Sequence, residues 1–516
     1  MKKWILFAGL MGVFAAIRAE DVRITRFGAR PDGRTMNTLA IQKAIDACYA
    51  TGGGRVIFPK GDFLTGTIEF RNNITLHFEK GARLLGSTDI EDYRNPDPFT
   101  EGLGIDVGWA LLVAVDRTNI GIEGEGVIDG QGAALKAAHI LKDTRPEGQR
   151  WGRRPFLLRI VRCHKVAVRD VTLKYAGAWT SHYLQSKNIA INNVTIRSVG
   201  VAHNDGIGID GCQDVTIRNC DVVSGDDALV FKTTSGKMAC KNIQVTGLRL
   251  KSNQAGIKMG TESMANFENI RITDCQIYDT RNGGIKLLSV DGAQIKNVLI
   301  SGIKMTNIRT PILLRLGSRL SVFRKGQDVP QQTGLFNNVV LKNITAVSAD
   351  STQLRSATGI LITGVPEHKI SGITLQKIRI ELPGGGTAGE ATAAVPEAID
   401  QYPEVKTFGP VIPAYGLWLR HAAGILVKDL QLQAKKADLR PAVFMEDVQQ
   451  ARLSQCTFRA PGSPAAVIKV RASGALAFEK IQTTAAASVF IDADAPSKTG
   501  MVLNANKTPG IKKTLN

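Results

Sequence analysis

KVAVRDVTL, residues 165–173, is the first of six clear copies of one pattern in this chain. The others are NIAINNVTI (188–196), DVTIRNCDV (214–222), NIQVTGLRL (242–250), NIRITDCQI (269–277) and NVLISGIKM (297–305). Their second residues, at positions 166, 189, 215, 243, 270 and 298, follow one another in steps of 23, 26, 28, 27 and 28. Each copy alternates apolar and polar residues and is rich in β-branched side chains, which predicts strand, turn and strand. A period of this length with short strands indicates stacked coils.

Further copies extend the repeat in both directions. NIGIEGEGV (119–127) is a weaker early copy, and NVVLKNITA (338–346) and GITLQKIRI (372–380) follow after longer insertions. Helical patterns between the strands are absent, which excludes a βαβ sheet or barrel. The leucine/asparagine template of leucine-rich repeats is missing, and propeller blades would be longer. We therefore predict an all-β fold, a right-handed single-stranded parallel β-helix, in which each coil covers the strand edges of its neighbour.

The end of the stack and its interruptions are also visible in the sequence. Ile41, Ala44, Ile45 and Cys48 lie at helical spacing before Gly52, which predicts a short capping helix over the first coil. We place an N-terminal cap at about 20–85 and one catalytic domain over 20–516. Insertions at about 318–333 and 383–414 break the period, and the second is rich in Gly, Pro and Ala. We expect these loops to form walls around a cleft.

The first 19 residues have the layout of a signal peptide. Lys2 and Lys3 precede an almost wholly apolar run, and Ala19 offers a small residue for cleavage. The apolar run is too short to span a bilayer comfortably, and no later segment competes. We therefore expect an exported protein, periplasmic or secreted, without a membrane span after cleavage and monomeric.

The amino-acid composition limits the classes of molecule that this protein is expected to bind. The net charge is +19, and loss of Lys2, Lys3 and Arg18 with the signal leaves 19 − 3 = +16. Such a surplus favours polyanions, and for an exported protein an acidic polysaccharide is a better candidate than nucleic acid. The 7 cysteines are an odd number without CxxC or zinc spacing, so we interpret them as buried free thiols.

Five charged residues fall at similar positions of successive coils. They are Asp205, Asp226, Asp227, Lys258 and Lys286, which follow the second residues of their repeats by 16, 11, 12, 15 and 16 positions. Because adjacent coils stack about 4.8 Å apart, these residues should share one face. Like charges so close are costly unless something offsets them. Three carboxylates flanked by two lysines therefore predict a functional site.

The segment SGDDALVFK (224–232) fits hydrolysis of a glycosidic bond. Gly225 permits a sharp turn, so that two consecutive acids project together. Inverting hydrolysis needs a protonated carboxyl for the leaving oxygen and an ionised carboxylate to activate water, roughly 6.5–9.5 Å apart. Acids on neighbouring coils can reach that separation, and crowding would raise the pKa of one of them.

Four motifs resemble family 28 of the glycoside hydrolases, the polygalacturonases and rhamnogalacturonan hydrolases. They are HNDGIGID (203–210), SGDDALVFK (224–232), AGIKMG (255–260) and GGIKLL (283–288). DVRITRFGARPDG (21–33), VIDGQG (127–132) and RPFLLRIVRCHKVAV (154–168) are also similar to that family. The resemblance covers roughly residues 20–320 and implies an O-glycosyl hydrolase of pectin-type polysaccharide that needs no cofactor or metal.

The resemblance also implies roles for individual residues. Asp226 matches the general acid of the family, and Asp205 and Asp227 match the pair that holds and activates water. Three positions depart from the family pattern. Lys286 stands where the family usually has a substrate-binding Arg, Leu288 where it has Lys, and Ala255 where it has an active-site His. The departures leave the acid and base intact and, with Lys258 and Glu262, predict a rearranged substrate-binding subsite.

Other side chains are candidates for binding substrate. His182 in AWTSHYLQ (178–185) could line the cleft or pack beside Trp179. Arg315 and Arg319 in LLRLGSR (313–319) could grip a carboxylate as bidentate forks or form structural ion pairs.

Two alternative functions stay open. The first is a polysaccharide lyase on the same scaffold, in which the aspartates hold Ca²⁺ and a Lys or Arg is the base. The second is a non-catalytic β-helix that binds carbohydrate or mediates adhesion. The long insertions favour exo action, through a cleft closed at one end.

Overall fold

The computed structural model describes residues 21–101, 105–142, 144, 153–323, 331–351, 353–484 and 486–516. The predicted signal peptide at 1–19 and residues 324–330 of the first insertion lie outside the described residues. Within the described part of the chain, 39 strands join one hydrogen-bonded network. Nearly every pairing is parallel and joins one coil to the next, so the network resolves into three sheets along a single cylinder. The predicted parallel β-helix is confirmed.

The strands of each sheet follow one another from coil to coil. Sheet 1 contains Val22–Arg23, Gly54–Phe58, Ile74–Phe78, Thr118–Gly124, His164–Arg169, Lys187–Asn192, Gln213–Arg218, Cys240–Thr246, Gly474–Glu479 and Val502–Asn504. Sheet 2 contains Asp32–Met36, Gly61–Thr65, Ala82–Gly86, Val127–Asp129, Thr172–Lys174, Thr195–Ser198, Asp221–Ser224, Arg249–Ser252, Thr457–Arg459 and Gln482–Thr483. Sheet 3 contains Ile68–Glu69, Ala110–Val115, Phe156–Val161, Ser181–Leu184, Ile207–Asp210, Leu229–Thr233, Ala255–Ser263, Gly283–Ser289, Ile312–Leu316, Ile360–Thr363, Ala466–Arg471, Val489–Ala493 and Lys513–Leu515.

Longer strands turn the corner from one sheet into the next. Phe267–Thr280, Gln294–Ile308, Leu335–Ser348 and Ile370–Leu382 run from sheet 1 into sheet 2, while Leu417–Ala434 and Val443–Ser454 begin in sheet 3. A short antiparallel pair, Phe99–Thr100 and Asp106–Val107, lies outside the cylinder. The described helices are Thr38–Ala50, Gly132–Ala138 and Ala495–Lys498, with 3₁₀ turns at Ile24–Phe27, Ile90–Asp92, Ile140–Lys142, Gly389–Thr392 and Val405–Phe408.

The repeat in the sequence corresponds to the pairing register of the strands in sheet 1. Val166 pairs with Ile189, Ile189 with Val215, Val215 with Ile243, and Ile243 with Ile270. All five residues point into the cylinder and are buried. Residues between them point outward, as the period of two in a strand requires. The coil repeat therefore encodes a row of buried apolar side chains that stack from coil to coil in each sheet.

Asparagines make the corners between sheets. Asn188, Asn193, Asn219, Asn242 and Asn269 all have φ between 53° and 58°. This left-handed conformation is costly for most side chains but accessible to asparagine. Asn269 also donates to Asn242 on the adjacent coil at 3.2 Å. The corner asparagines are therefore turn-forming residues.

The first coil is covered by the helix Thr38–Ala50, which confirms the predicted capping helix. Its buried face consists of Ile41, Ala44, Ile45 and Cys48. Gly52 has a φ of 98°, a conformation that favours glycine and lets the chain leave the helix. All seven cysteines are buried and unpaired. In the described residues, the helices are too short or too polar to cross a membrane.

Two apolar clusters lie on the outer face of sheet 3. The N-terminal cluster contains Phe99, Ile105, Val107, Phe156 and Trp179. The C-terminal cluster contains Leu288, Leu313, Leu361, Val405, Phe408 and Trp418, so part of the second insertion packs on the sheet. The strands Ile207–Asp210, Leu229–Thr233 and Ala255–Ser263 lie between the two clusters in coil order. A cleft is thereby placed over these three strands.

Candidate active site

Two of the aspartates occupy equivalent places in adjacent coils. Ile207 pairs with Leu229 at the first positions of two adjacent strands of sheet 3. Asp205 and Asp227 each lie two residues before this pair, so they are opposite each other on adjacent coils. The Gly206 N–H donates to the Asp227 carbonyl at 2.8 Å. Asp226 precedes Asp227 directly and lines the cleft. The structure therefore brings the three predicted acids together at the start of neighbouring strands.

A glycine allows this close approach. A Cβ on Gly225 would lie 2.2 Å from Oδ1 of Asn204, which is nearer than real atoms pack. Gly225 is thus required by the contact between coils and not by a positive φ. The Asp227 N–H then donates to Oδ1 of Asp226 at 2.9 Å, which orients the cleft-facing carboxyl.

The three carboxyl groups are very close. Each of Asp205, Asp226 and Asp227 has an oxygen within 4.8 Å of an oxygen of the others. This nearest-atom distance is shorter than the separation of roughly 6.5–9.5 Å typical of inverting enzymes. The spacing by itself therefore does not select the stereochemistry.

The environment separates the proton affinities of these groups. Burial, followed by the negative charge of Asp227, raises the pKa of Asp226 to about 6. Burial also raises the pKa of Asp205 well above its usual value, although Lys232 offsets part of the effect. Burial opposes ionisation of Asp227 as well, but Lys258, Lys286 and Lys232 outweigh it and hold its pKa below the usual range. The cluster thus combines an ionised carboxylate with two neighbours that retain protons at higher pH.

The ionised carboxylate is held by two donors from the next coil. Lys258 Nζ lies 2.9 Å from Oδ2 of Asp227, and the Ala255 N–H donates to its Oδ1 at 3.0 Å. On the next coil of sheet 3, Ala255 occupies the position that corresponds to Asp227, and it pairs in turn with Gly283 one coil farther on. Lys258 lies three residues farther along the strand. The lysines therefore lie beside the aspartate column and not within it.

Lys232 is a functional candidate that the sequence analysis missed. Its Nζ lies 3.6 Å from Oδ2 of Asp205 and 3.2 Å from Oε2 of Glu262, and 4.5 Å from the Trp179 ring centre. Burial disfavours its charge, but Glu262 and Asp205 outweigh that and raise its pKa. Lys232 ends the quoted motif SGDDALVFK, five residues after Asp227. Lys232 also follows Asp226 by six residues, an even step that puts both side chains on the same face of an extended strand, and this spacing was the available signal.

Glu262 belongs to the same network. Burial opposes its ionisation, but Lys232, Arg319 and Lys258 lower its pKa to about 2. Arg319 itself forms a bidentate pair with Asp291, at 2.9 and 2.6 Å. The predicted residues Glu262 and Arg319 therefore form buried ion pairs under the cleft.

The second insertion supplies partners for the two lysines. Lys258 Nζ lies 3.1 Å from the hydroxyl of Tyr402. Lys286 is only 1% exposed and forms an ion pair with Glu404. Thr407 and Glu404 form a reciprocal capping box that fixes the turn carrying both insertion residues. Lys286 is thus neutralised from within the protein.

His182 and Arg315 are placed in structural contacts. The His182 ring lies 1% exposed between Trp179 and Phe156, and its Nε2 is 3.2 Å from Asp210. Burial lowers its pKa, so the ring is neutral near neutral pH. Arg315 donates to the carbonyls of Glu397 and Ala398 at 2.7 and 3.0 Å. The structure therefore does not bring these two side chains to the cleft surface; Arg315 anchors the second insertion.

The departures from the family pattern have structural reasons. Leu288 is fully buried in the C-terminal apolar cluster, where Val405 and Phe408 of the insertion cover it. A charged side chain there would be desolvated without a partner. Ala255 contacts the Asp227 carboxylate through its backbone N–H, and Lys258 supplies the charged side chain at the second oxygen.

The cleft is a cavity of about 750 Å³, within the range of small-ligand sites. Its described lining consists of His203, Asp226, Asn253, Gln254, Lys258, Arg281, Asn282, Arg309, Gln353, Gln401, Tyr402, Glu404, Lys406 and Thr407. Four of these residues come from the turn 402–407 of the second insertion. This insertion therefore walls the cleft over the acidic cluster.

The acidic cluster is also the place where the described residues could hold a cation. A divalent ion prefers several carboxylate oxygens, and three are available here. However, the ammonium groups of Lys258 and Lys232 already lie 2.9 and 3.6 Å from two of the carboxylates. They supply the positive charge that a metal would bring.

Comparison with known proteins identifies the family of the chain. The profile of the family described as Glycosyl hydrolases family 28 matches residues 48–398, which include all three aspartates. The chain is 26% identical over 389 residues to a probable polygalacturonase of Vitis vinifera, covering 71% of this chain and 75% of the relative. It is 25% identical over 376 residues to an exopolygalacturonase of Zea mays, covering 70% of this chain and 83% of the relative.

A solved structure supports the fold. The chain is similar to the family 28 exopolygalacturonase of Yersinia enterocolitica, with a TM-score of 0.62 and 18% identity. The superposition covers 84% of this chain and 76% of that one. These findings confirm the predicted family resemblance and the parallel β-helix.

Proposed function

Because the chain belongs to family 28 of the glycosyl hydrolases, we propose that it hydrolyses a galacturonic-acid-containing pectin or its oligosaccharides. It is a glycoside hydrolase by family. The relatives in Vitis vinifera and Zea mays are a probable polygalacturonase and an exopolygalacturonase, which supports the choice of substrate. The net charge of +19 agrees with an acidic glycan.

The observation that carries the proposal is the division of proton affinity among the three aspartates. The pKa of Asp226 is raised to about 6 by burial and by Asp227, so this carboxyl can hold a proton while facing the cleft. Asp227 is held ionised by its neighbouring lysines. Two carboxyl groups with separated pKa values are what acid and base catalysis of glycoside hydrolysis requires.

The roles follow from this division. Asp226 donates its proton to the oxygen of the leaving sugar as the glycosidic bond breaks. Asp227 accepts the proton of a water molecule, which it holds together with the carboxyl group of Asp205, as the water attacks the anomeric carbon. Lys232 and Lys258 act as positioning residues, since each fixes one of these two carboxyl groups. We propose inversion of the anomeric configuration, because a water held by the pair can attack opposite the leaving group.

Asp226→Asn tests the role of the acid. We expect hydrolysis of a galacturonic acid oligosaccharide to fall at least about 10²-fold, because no proton donor remains. The exposed Asp350→Asn variant is the matched control and should keep wild-type activity. Products are followed by mass and by ultraviolet absorbance. An active Asp226→Asn enzyme would contradict the assignment. Proton NMR of the first product tests inversion.

A polysaccharide lyase is the second candidate, because the three carboxylates are close enough to share a cation. A lyase would release unsaturated products that absorb ultraviolet light and would lose activity in chelator. We expect saturated products in which one water has been added per bond cleaved, at a rate that chelator does not change.

We further propose exo action and export. The turn 402–407 closes over the cleft beside Lys258, which favours binding of a chain end. Exo action predicts that monomers or dimers are released from the start, without an early fall in the viscosity of polygalacturonate. Export predicts a mature N-terminus after Ala19, and light scattering tests the proposed monomer.

A further inference from the structure

The cavity beside Asp226 is lined by three cationic side chains that find no acidic partner among the described residues. Arg281, Arg309 and Lys406 line it, yet their side chains make no hydrogen bond or ion pair with any residue that the structure describes. Arg281 and Lys406 are exposed, and Arg309 is half-buried. We refer to these three residues as the cationic rim.

Other charged groups of the cavity are already engaged. Lys258 is bound to Asp227, and Glu404 is bound to Lys286. Burial lowers the pKa of His203 to about 4, so its ring is neutral near neutral pH. The positive charge that is available to an anionic ligand therefore lies at the cationic rim and not on the floor of the cavity.

The two arginines lie directly above one another. Thr280 pairs with Ile308 at the ends of two adjacent strands, so the next residues, Arg281 and Arg309, occupy corresponding positions one coil apart. Backbones of adjacent coils are about 4.8 Å apart, and like charges at opposed positions are destabilising. By contrast, Lys251 in the sheet 2 strand Arg249–Ser252 has Asp279 at 3.0 Å. A stacked arginine pair without an acid is expected where a ligand brings the opposite charge.

We propose that the cationic rim is a carboxylate-binding subsite for a uronate residue that neighbours the sugar at Asp226. The inference rests on the proposed function, which supplies the uronate. A guanidinium donates two parallel N–H groups that match a carboxylate, and two stacked guanidiniums with an ammonium match an acidic sugar better than a neutral one. Lys406 approaches from the second insertion and the arginines from the coil corners, so the rim grips the glycan from both sides.

Binding to full-length Asp226→Asn protein tests the subsite without turnover. The ligand is a defined galacturonic acid oligosaccharide, and affinity is measured by calorimetry at low ionic strength. We expect Arg281→Gln with Arg309→Gln to weaken binding about ten- to a hundredfold, since hydrogen bonds to charged groups are lost. The control pair Arg218→Gln with Arg271→Gln removes two exposed arginines from the outside of sheet 1 and should leave the affinity unchanged.

A second ligand separates charge from shape. The fully methyl-esterified oligosaccharide has the same sugars without carboxylates, and the rim variant and its parent should bind it equally. Equal loss of both ligands, or no loss of the acidic one, would overturn the inference. A sulfated neutral oligosaccharide that bound as tightly as the uronate would also overturn it. Failure of the proposed function is recognised separately, as absence of hydrolysis by the wild-type enzyme whatever the binding result.

Discussion

Asp226 and Asp227 are adjacent in the chain but occupy different electrostatic environments. Lys258 Nζ and the Ala255 N–H reach the carboxylate of Asp227, whereas the carboxyl group of Asp226 accepts only the N–H of Asp227 among the described hydrogen bonds. Each added donor favours the ionised form, and burial without donors favours the protonated form. Two identical residues therefore differ in proton affinity because of their neighbours on the next coil, as the proposed roles of acid and base require.

This asymmetry predicts that the general acid destabilises the fold at neutral pH. The pKa of Asp226 is about 6 in the folded chain against a reference value of 3.8, so the folded state binds more protons and stability falls as pH rises between these values. We expect Asp226→Asn to raise the free energy of unfolding at pH 7 by about 1–3 kcal/mol. Denaturant titration measures it. The gain should vanish near pH 4, and Asp350→Asn should show none.

The same pKa values predict the pH dependence of catalysis. Asp226 must be protonated, so kcat/KM should fall about tenfold per pH unit above its pKa of about 6. Asp227 must be ionised, and because its pKa lies below 3.8 the acid side should show no loss until below that pH. The alkaline fall should be absent from the residual activity of Asp226→Asn. A rate that increased between pH 6 and 8 would contradict these roles.

The second insertion is the element that packs on the outer face of sheet 3 beside the cleft. Val405 and Phe408 cover Leu288, while Tyr402 and Glu404 bind Lys258 and Lys286. One side of this turn is thus held by apolar packing and the other by polar contacts with the cleft floor. A loop with these contacts is an ordered wall of the active site.

Loss of the Phe408 side chain should detach the second insertion from sheet 3 without unfolding the β-helix. Phe408 is buried and packs edge-on against Trp418, with ring centres 6.0 Å apart. We expect Phe408→Ala to cost the insertion about 3 kcal/mol of local stability. Limited proteolysis should then cut within 383–414, and KM should rise while the global unfolding midpoint changes little. Phe458→Ala, in the central core, should instead lower that midpoint without selective cleavage.

At the scale of the molecule, the interior of the cylinder is one continuous apolar core. All seven cysteines are buried, six of them in strands or corners of the coils, and no pair forms a disulfide. Burial raises the pKa of the Cys163, Cys220 and Cys275 thiols to about 11. The stability of the molecule therefore depends on coil stacking and not on covalent cross-links.

Thiol chemistry tests this interpretation. The thiolate is the reactive form, so buried thiols with raised pKa values should not react with Ellman's reagent in the native protein. We expect seven reactive thiols only after denaturation, and an unfolding midpoint that reductant does not change. Asp350→Cys is a positive control that should add one thiol reactive in the folded state. Fewer than seven thiols in unreduced, denatured protein would reveal a disulfide.

What the sequence determined by itself is the repeating part of the molecule. The alternation around Val166, Ile189 and Val215 specifies which side of each strand is buried, and this information is local to each coil. The fixed step between copies then predicts the stacking, and stacking brings Asp205 beside Asp226. In a β-helix, the position of a residue within its coil can be counted along the chain. This is why the sequence was sufficient to predict the acidic cluster.

Only the tertiary structure decided how the cleft floor is neutralised and covered. Tyr402 reaches Lys258 across 144 positions, and Glu404 reaches Lys286 across 118. Neither contact follows a period, because the insertion leaves the coil repeat and folds back by packing on sheet 3. For the same reason the sequence placed Arg315 among candidates for substrate binding, whereas the Glu397 carbonyl of the insertion holds it in a structural contact. His182 was placed there too, but Asp210 on the adjacent coil holds it in a structural contact. Contacts that depend on a loop returning to a distant coil are set by packing in three dimensions, which a repeat pattern does not encode.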